Sequence, residues 1–153
     1  MKKLFAVILT VALLMSLSVT AFAANTTGGE ANITTSIAPT YTVTIPADVN
    51  VQFNATETAF GTIEVTASQI HPDKCIKVAL TTDGELNNAI DNTKVIPYAI
   101  KDSEGTEFTS ATYLTEGDKT ELSIHITAND WNDAYAGDYS DTVTFTVSYE
   151  DKA

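Results

Sequence analysis

From Thr142 to Tyr149 the chain reads Thr-Val-Thr-Phe-Thr-Val-Ser-Tyr, a strict alternation of hydroxyl and apolar side chains. Successive side chains of an extended strand point to opposite faces, so such a run has one dry face and one wet face and fits a helical period poorly. The same signature recurs along the chain. Tyr41 to Ile45 alternates until Pro46 stops it, and Ile63, Val65 and Ala67 alternate with Thr62, Glu64 and Thr66. Ile76, Val78 and Leu80 alternate with Lys77 and Ala79 up to the turn signal Thr82-Asp83-Gly84. Leu122, Ile124 and Ile126 alternate with Ser123, His125 and Thr127. Val95 to Ile100 continues the theme, and Pro97 marks it as an edge strand, because proline has no N–H to give a ladder. Ser103-Glu104-Gly105 reads as a hairpin turn, and only Ala128 to Tyr135 suggests a brief helical turn. Many short half-buried strands with polar turns predict an all-β chain, an Ig-like antiparallel β-sandwich of about seven to nine strands.

The N-terminus sets the address. Met1-Lys2-Lys3 is positive, Leu4 to Val19 is almost unbroken apolar sequence, and Ala21-Phe22-Ala23 is a small-x-small cleavage site. That order predicts a signal peptide over 1–23, cut between Ala23 and Ala24. The apolar run falls short of the roughly 20 residues of a membrane span. Residues 24–38 then read as a flexible leader with a candidate first strand at Ile33-Thr34-Thr35-Ser36-Ile37, and 39–153 as the sandwich domain. The expected product is secreted, extracellular or at the cell surface, with no membrane contact after cleavage.

Charge narrows the partners. The net charge of −12 becomes −14 when Lys2 and Lys3 leave, and every basic residue is Lys. Phosphate recognition leans on Arg forks and a positive field, so nucleic acid and anionic lipid are excluded as partners. Cys75 is the sole cysteine, which rules out an internal disulfide and leaves stability to the core.

Candidate chemistry is sparse. His71 precedes Cys75 by four residues, the spacing of an imaginable Cys–His pair, but no oxyanion-hole turn, nucleophile elbow or metal-binding helix accompanies it. His125 falls on a wet strand face. No catalytic residue and no cofactor are therefore assigned. Calcium is the one ion with a candidate donor set, since Asp130, Asn132, Asp133, Asp138 and Asp141 crowd one segment, although turn formation explains them as well and the spacing is not that of an EF-hand. Sugar binding by a sandwich uses exposed planar rings, and Trp131, Tyr135 and Tyr113 are the candidates; Tyr98 shares a face with Ile96 and Ile100 and is read as core. Tyr139, after Gly137, is placed like the tyrosine corner of Ig-like sandwiches, and Trp131 is read as a plug at the end of the core.

Ile37-Ala38-Pro39-Thr40-Tyr41-Thr42-Val43-Thr44-Ile45-Pro46-Ala47 resembles the opening of small secreted surface modules of Clostridia and other Firmicutes. Ala136-Gly137-Asp138-Tyr139-Ser140-Asp141-Thr142-Val143-Thr144-Phe145-Thr146-Val147 resembles their ending. That ending is also similar to the closing strand of fimbrial and spore coat protein U type domains, and loosely to WxL-type wall proteins. The resemblance covers the two ends of the domain, and the Trp-x-Leu signature is absent, Trp131 being followed by Asn132-Asp133. It implies an exported, surface-associated, Ig-like module with an adhesive or structural role and no catalytic residues.

The expected function is thus a non-catalytic secreted or cell-surface module of a bacterium, acting in adhesion or assembly. Its partners would be cell-wall or extracellular matrix components, other copies of itself or related modules. The Ile33–Ile37 segment either pairs within its own domain or adds to a neighbour's sheet edge. Two alternatives belong to other classes: a carbohydrate-binding module and a small secreted hydrolase.

Overall fold

A computed structural model describes residues 30–152. The signal-peptide reading of 1–23 and the first part of the leader lie outside the described residues. Ten strands and one short helix follow in order: β1 (Thr40–Thr44), β2 (Glu57–Gln69), β3 (Lys74–Thr81), β4 (Glu85–Asn88), β5 (Val95–Pro97), β6 (Ala99–Asp102), β7 (Ser110–Tyr113), β8 (Lys119–His125), α1 (Ala128–Asp133), β9 (Tyr139–Ser140) and β10 (Thr144–Asp151). They form three antiparallel sheets. One runs β1-β2-β8-β6, the second β10-β3-β7, and a short third β5-β4-β9.

The alternating runs become strands because one face of each can be buried in a common core. Ile63 and Val65 of β2 and Ile76 and Val78 of β3 are completely buried. Leu122 and Ile124 of β8, Ile96 of β5, Ile100 of β6 and Tyr113 of β7 join the same cluster. Phe60 and Phe145 bring their rings to 6.0 Å, tying the four-stranded sheet to β10. The chain is all-β, as its patterning predicts.

Three departures from the sequence reading have physical reasons. The strand count exceeds seven to nine because Val95–Asp102 is not one strand. Pro97 ends β5, which pairs with β4, while Ile100 in β6 pairs with Ile124 of β8 in a different sheet. Between them Tyr98 donates its N–H to the carbonyl of Gly84 at 2.7 Å. A proline that cannot serve a ladder is where the chain changes sheets. Second, β2 is longer than the Ile63–Ala67 run and carries a bulge between Ala59 and Gly61. One extra residue swaps the inward register, so even-numbered Phe60 and odd-numbered Ile63 both pack against the core. Third, Ile33–Ile37 forms no strand; residues 30–39 have no regular structure, and Ile33 and Ile37 are 98% and 69% exposed.

The helix is where a helical turn is expected. Thr127 caps it, accepting from the Asp130 N–H at 3.2 Å, while the Asp130 carboxylate accepts from the Thr127 N–H at 3.2 Å. This reciprocal pair satisfies two donors that a helix start leaves open.

Gly137 holds the approach to β9 at φ 151°, where an added Cβ would lie 2.5 Å from the Asn88 side-chain nitrogen. Asn88 is itself buried, and its side-chain oxygen accepts from the N–H groups of Ile90 at 2.9 Å and Asp91 at 3.1 Å. Gly137→Ala is expected to lose about 2 kcal/mol in urea unfolding, because it adds backbone strain and displaces Asn88. Gly117→Ala, at φ 89° with nothing within 4 Å, is expected to lose about 1 kcal/mol, from strain alone.

Candidate functional site

The loop from Ile45 to Thr56 leaves β1 and returns to β2, and one helical side chain anchors it. Trp131 of α1 donates its indole N–H to the carbonyl of Ala55 at 2.9 Å, and Phe53 meets the Trp131 ring edge-on at 5.6 Å. Asn54 at φ 65° turns the chain here, with Ala55 donating to the carbonyl of Gln52 at 3.0 Å. The anchored loop leaves Ile45, Val49 and Phe53 exposed. Below it opens a groove of about 840 Å³. Ile96, Ile100 and Ile124 form its floor, and Phe60, Phe145 and Trp131 stand in its walls.

Polar groups gather at one side of this groove. Tyr98 reaches the Asp141 carboxylate, donating its phenol proton, and Thr82 Oγ1 lies 2.7 Å from the same phenol oxygen and 3.2 Å from the carboxylate. The Thr142 N–H also donates to Asp141, at 2.6 Å. Burial, helped by the Asp141 carboxylate, pushes the Tyr98 phenol well above the ordinary tyrosine range. Tyr98 thus packs against the core, as its register with Ile96 and Ile100 predicts, but its hydroxyl serves a surface network that periodicity alone does not reveal.

The five calcium candidates are not brought together. Asp130 is spent on the helix cap and Asp141 on Tyr98 and Thr142. Among the described residues no three His, Cys, Asp or Glu side chains gather to hold a metal ion. The pairing of Thr127 with Asp130 is visible in the sequence as a Thr-x-x-acid cap, which is the signal that separates Asp130 from the rest.

The three ring candidates part company as well. Tyr113 is only 3% exposed and its hydroxyl donates to Thr120 at 2.8 Å, so it belongs to the core and offers no face to a sugar. Trp131 is half-buried with its N–H satisfied, the plug expected of it. Tyr135 is 63% exposed, but Lys94 sits 4.8 Å over its ring. Tyr135 also supplies the carbonyl that accepts the Tyr139 hydroxyl at 3.0 Å, the bond expected of a tyrosine corner.

Neither histidine has the surroundings of a catalyst. His71 accepts the Asp73 N–H on Nδ1 at 3.3 Å, while Cys75 is buried with its thiol directed at the Asp151 carbonyl at 3.7 Å. On the outer face of β8, Ser123 Oγ lies 2.9 Å from His125 Nε2, and Glu57 lies 4.0 Å from that same nitrogen. A triad needs the carboxylate on the opposite ring nitrogen from the hydroxyl, so this cluster lacks the geometry of a relay.

Two of the sheets end in a strand with no neighbour on its outer side. β1 closes the four-stranded sheet and β10 the β10-β3-β7 sheet. Tyr41 of β1 and Tyr149 of β10 bring their rings to 5.8 Å, a contact between the two edge strands. Neither a protein-family model nor a curated protein matches the chain.

The Tyr98 network makes a pH prediction. Its phenol holds the proton more tightly folded than unfolded, so its contribution is complete below the ordinary tyrosine pKa of about 10 and is lost as pH rises beyond it. Tyr98→Phe is expected to flatten the alkaline loss of stability, leaving the part due to Tyr113, whose phenol burial also raises. Asp141→Asn should let Tyr98 ionise at lower pH in a tyrosinate absorbance titration. An unchanged alkaline profile in both variants would contradict the assignment.

Proposed function

We propose that this chain is a non-catalytic module exported by a bacterium to its surface, structural or adhesive in role, whose copies join by strand addition. The observation that carries the reading is that the chain has both an unpaired strand-like segment and unpaired strand edges. Ile33–Ile37 is built of β-branched and hydroxyl residues, alternates Ile33, Thr35 and Ile37 with Thr34 and Ser36, and lies in no strand. β10 offers an eight-residue edge, on which alternate residues direct N–H and C=O groups away from β3. Unpaired edges of that length are templates for another chain.

Charge supports copies of the chain as the partner. Two chains of net charge −12 or more repel each other, and close approach is cheapest where charge is lacking. Ala31 to Ala47 carries no charged side chain, and neither does Thr144 to Tyr149 of β10. An extended five-residue segment is roughly 17 Å long, which the β10 edge can accommodate. An Ig-like sandwich is the architecture we assign, with the Tyr139 to Tyr135 bond as its support. The export signal read in residues 1–23 and the likeness of both chain ends to Firmicutes surface modules support the location.

Removing residues 24–38 is expected to convert concentration-dependent assemblies into monomers in sedimentation velocity, with the far-ultraviolet circular dichroism retained. Assemblies that persist unchanged after the deletion, or an intact chain that stays monomeric at every concentration, would contradict strand addition.

A further inference from the structure

The groove beneath the Ile45–Thr56 loop is unexplained by assembly through strand edges. Its volume of about 840 Å³ falls within the range of roughly 300–1,000 Å³ typical of small-molecule sites. Its floor is the core itself. Ile96, Ile100 and Ile124 are 2%, 3% and 8% exposed and belong to the main hydrophobic cluster, yet they line this opening. The isoleucines close the bottom with little exposed surface, and the apolar surface that a ligand can touch is the half-buried wall of Phe60, Val143 and Phe145.

The rim specifies the head group. Among the described residues the groove is lined by three carboxylates, Asp48, Asp138 and Asp141, and by no lysine or histidine. Asp141 is already engaged by Tyr98, Thr82 and the Thr142 N–H. Asp48 and Asp138 are exposed, and among the described residues their carboxylates make no hydrogen bond or ion pair. A carboxylate or phosphate on the ligand would meet like charge at the rim and across the whole molecule, which repels it. An ammonium would meet carboxylates free to accept its protons at the rim.

We infer that this groove binds a small apolar molecule carrying a protonated amine, its body against Phe60, Val143 and Phe145 and its ammonium at Asp48 and Asp138. The inference does not depend on strand addition, since it uses side chains inside the groove and not backbone edges. Trp131, the single tryptophan, stands in the wall and reports occupancy by its fluorescence.

The test uses the exported protein, residues 24–153, and three probes sharing one tail: octylamine, octanol and octanoate. Octylamine is expected to change Trp131 emission saturably, with octanol at least threefold weaker and octanoate at least tenfold weaker. The double variant Asp48→Asn with Asp138→Asn alters two exposed side chains without partners, so the fold should be kept. It is expected to bring octylamine to the level of octanol while leaving octanol unchanged. Octanoate binding as tightly as octylamine, no saturable change with any probe, or a double variant that still prefers the amine would each overturn the inference.

Discussion

The contact of β2 against β3, Ile63 and Val65 facing a common core with Ile76 and Val78, is the interaction on which the rest of this molecule depends. All four side chains are removed from water entirely. Full burial of one such residue contributes roughly 1.5–3 kcal/mol. Typical domain stability is only about 5–15 kcal/mol, and with one cysteine there is no cross-link to supplement it. The three sheets need one another because none is wide enough to hide its apolar face alone. β5 and β6 show the dependence most directly. They are consecutive in sequence but belong to different sheets, so Ile96 and Ile100 enter the same core from two layers.

The distribution of order and exposure follows from that core. Where the β2–β8 pair meets β3 the interior is shut. Towards the β1–β2 connection it opens, because there a twelve-residue loop, held by Trp131 and by Val51 packed on the core, takes the place of regular strand. At the β1 and β10 edges the sheets stop without a neighbour, and Tyr41 and Tyr149 touch across them by their rings. The molecule therefore has two features that a closed sandwich lacks: an apolar groove with acidic rims, and bare strand edges in a chain that also carries an unpaired, uncharged segment. Our two proposals address these separately, the first a small cation and the second another copy of the chain.

Much of the fold is legible in the sequence because period-two alternation is a local consequence of strand geometry. β3, β8 and β10 can be read directly, as can the turns at Gly84 and Gly105, the short helix and the Tyr139 bond. What escapes reading depends on non-local partners. The bulge at Phe60 breaks the alternation of β2, so its first half looks irregular until β8 is in place. Ser110–Tyr113 is too short and too polar to announce β7, and Tyr113 passes for a surface ring until its burial is seen. The acidic segment looks like a cation site because density in sequence does not say which carboxylates are consumed by caps and phenols. The groove is the least legible of all, since its floor, walls and rim come from segments up to one hundred residues apart.

Hydrogen exchange, followed segment by segment at low and high protein concentration, tests the central claim most directly. The account predicts slow exchange in β2, β3 and β8 at any concentration, as expected where opening requires the core to break. Residues 31–39 should exchange at once in dilute solution and become protected, together with β10, as concentration rises. Protection of that segment in dilute monomer, or its continued rapid exchange within assemblies, would contradict the idea that one copy's unpaired segment completes another copy's sheet.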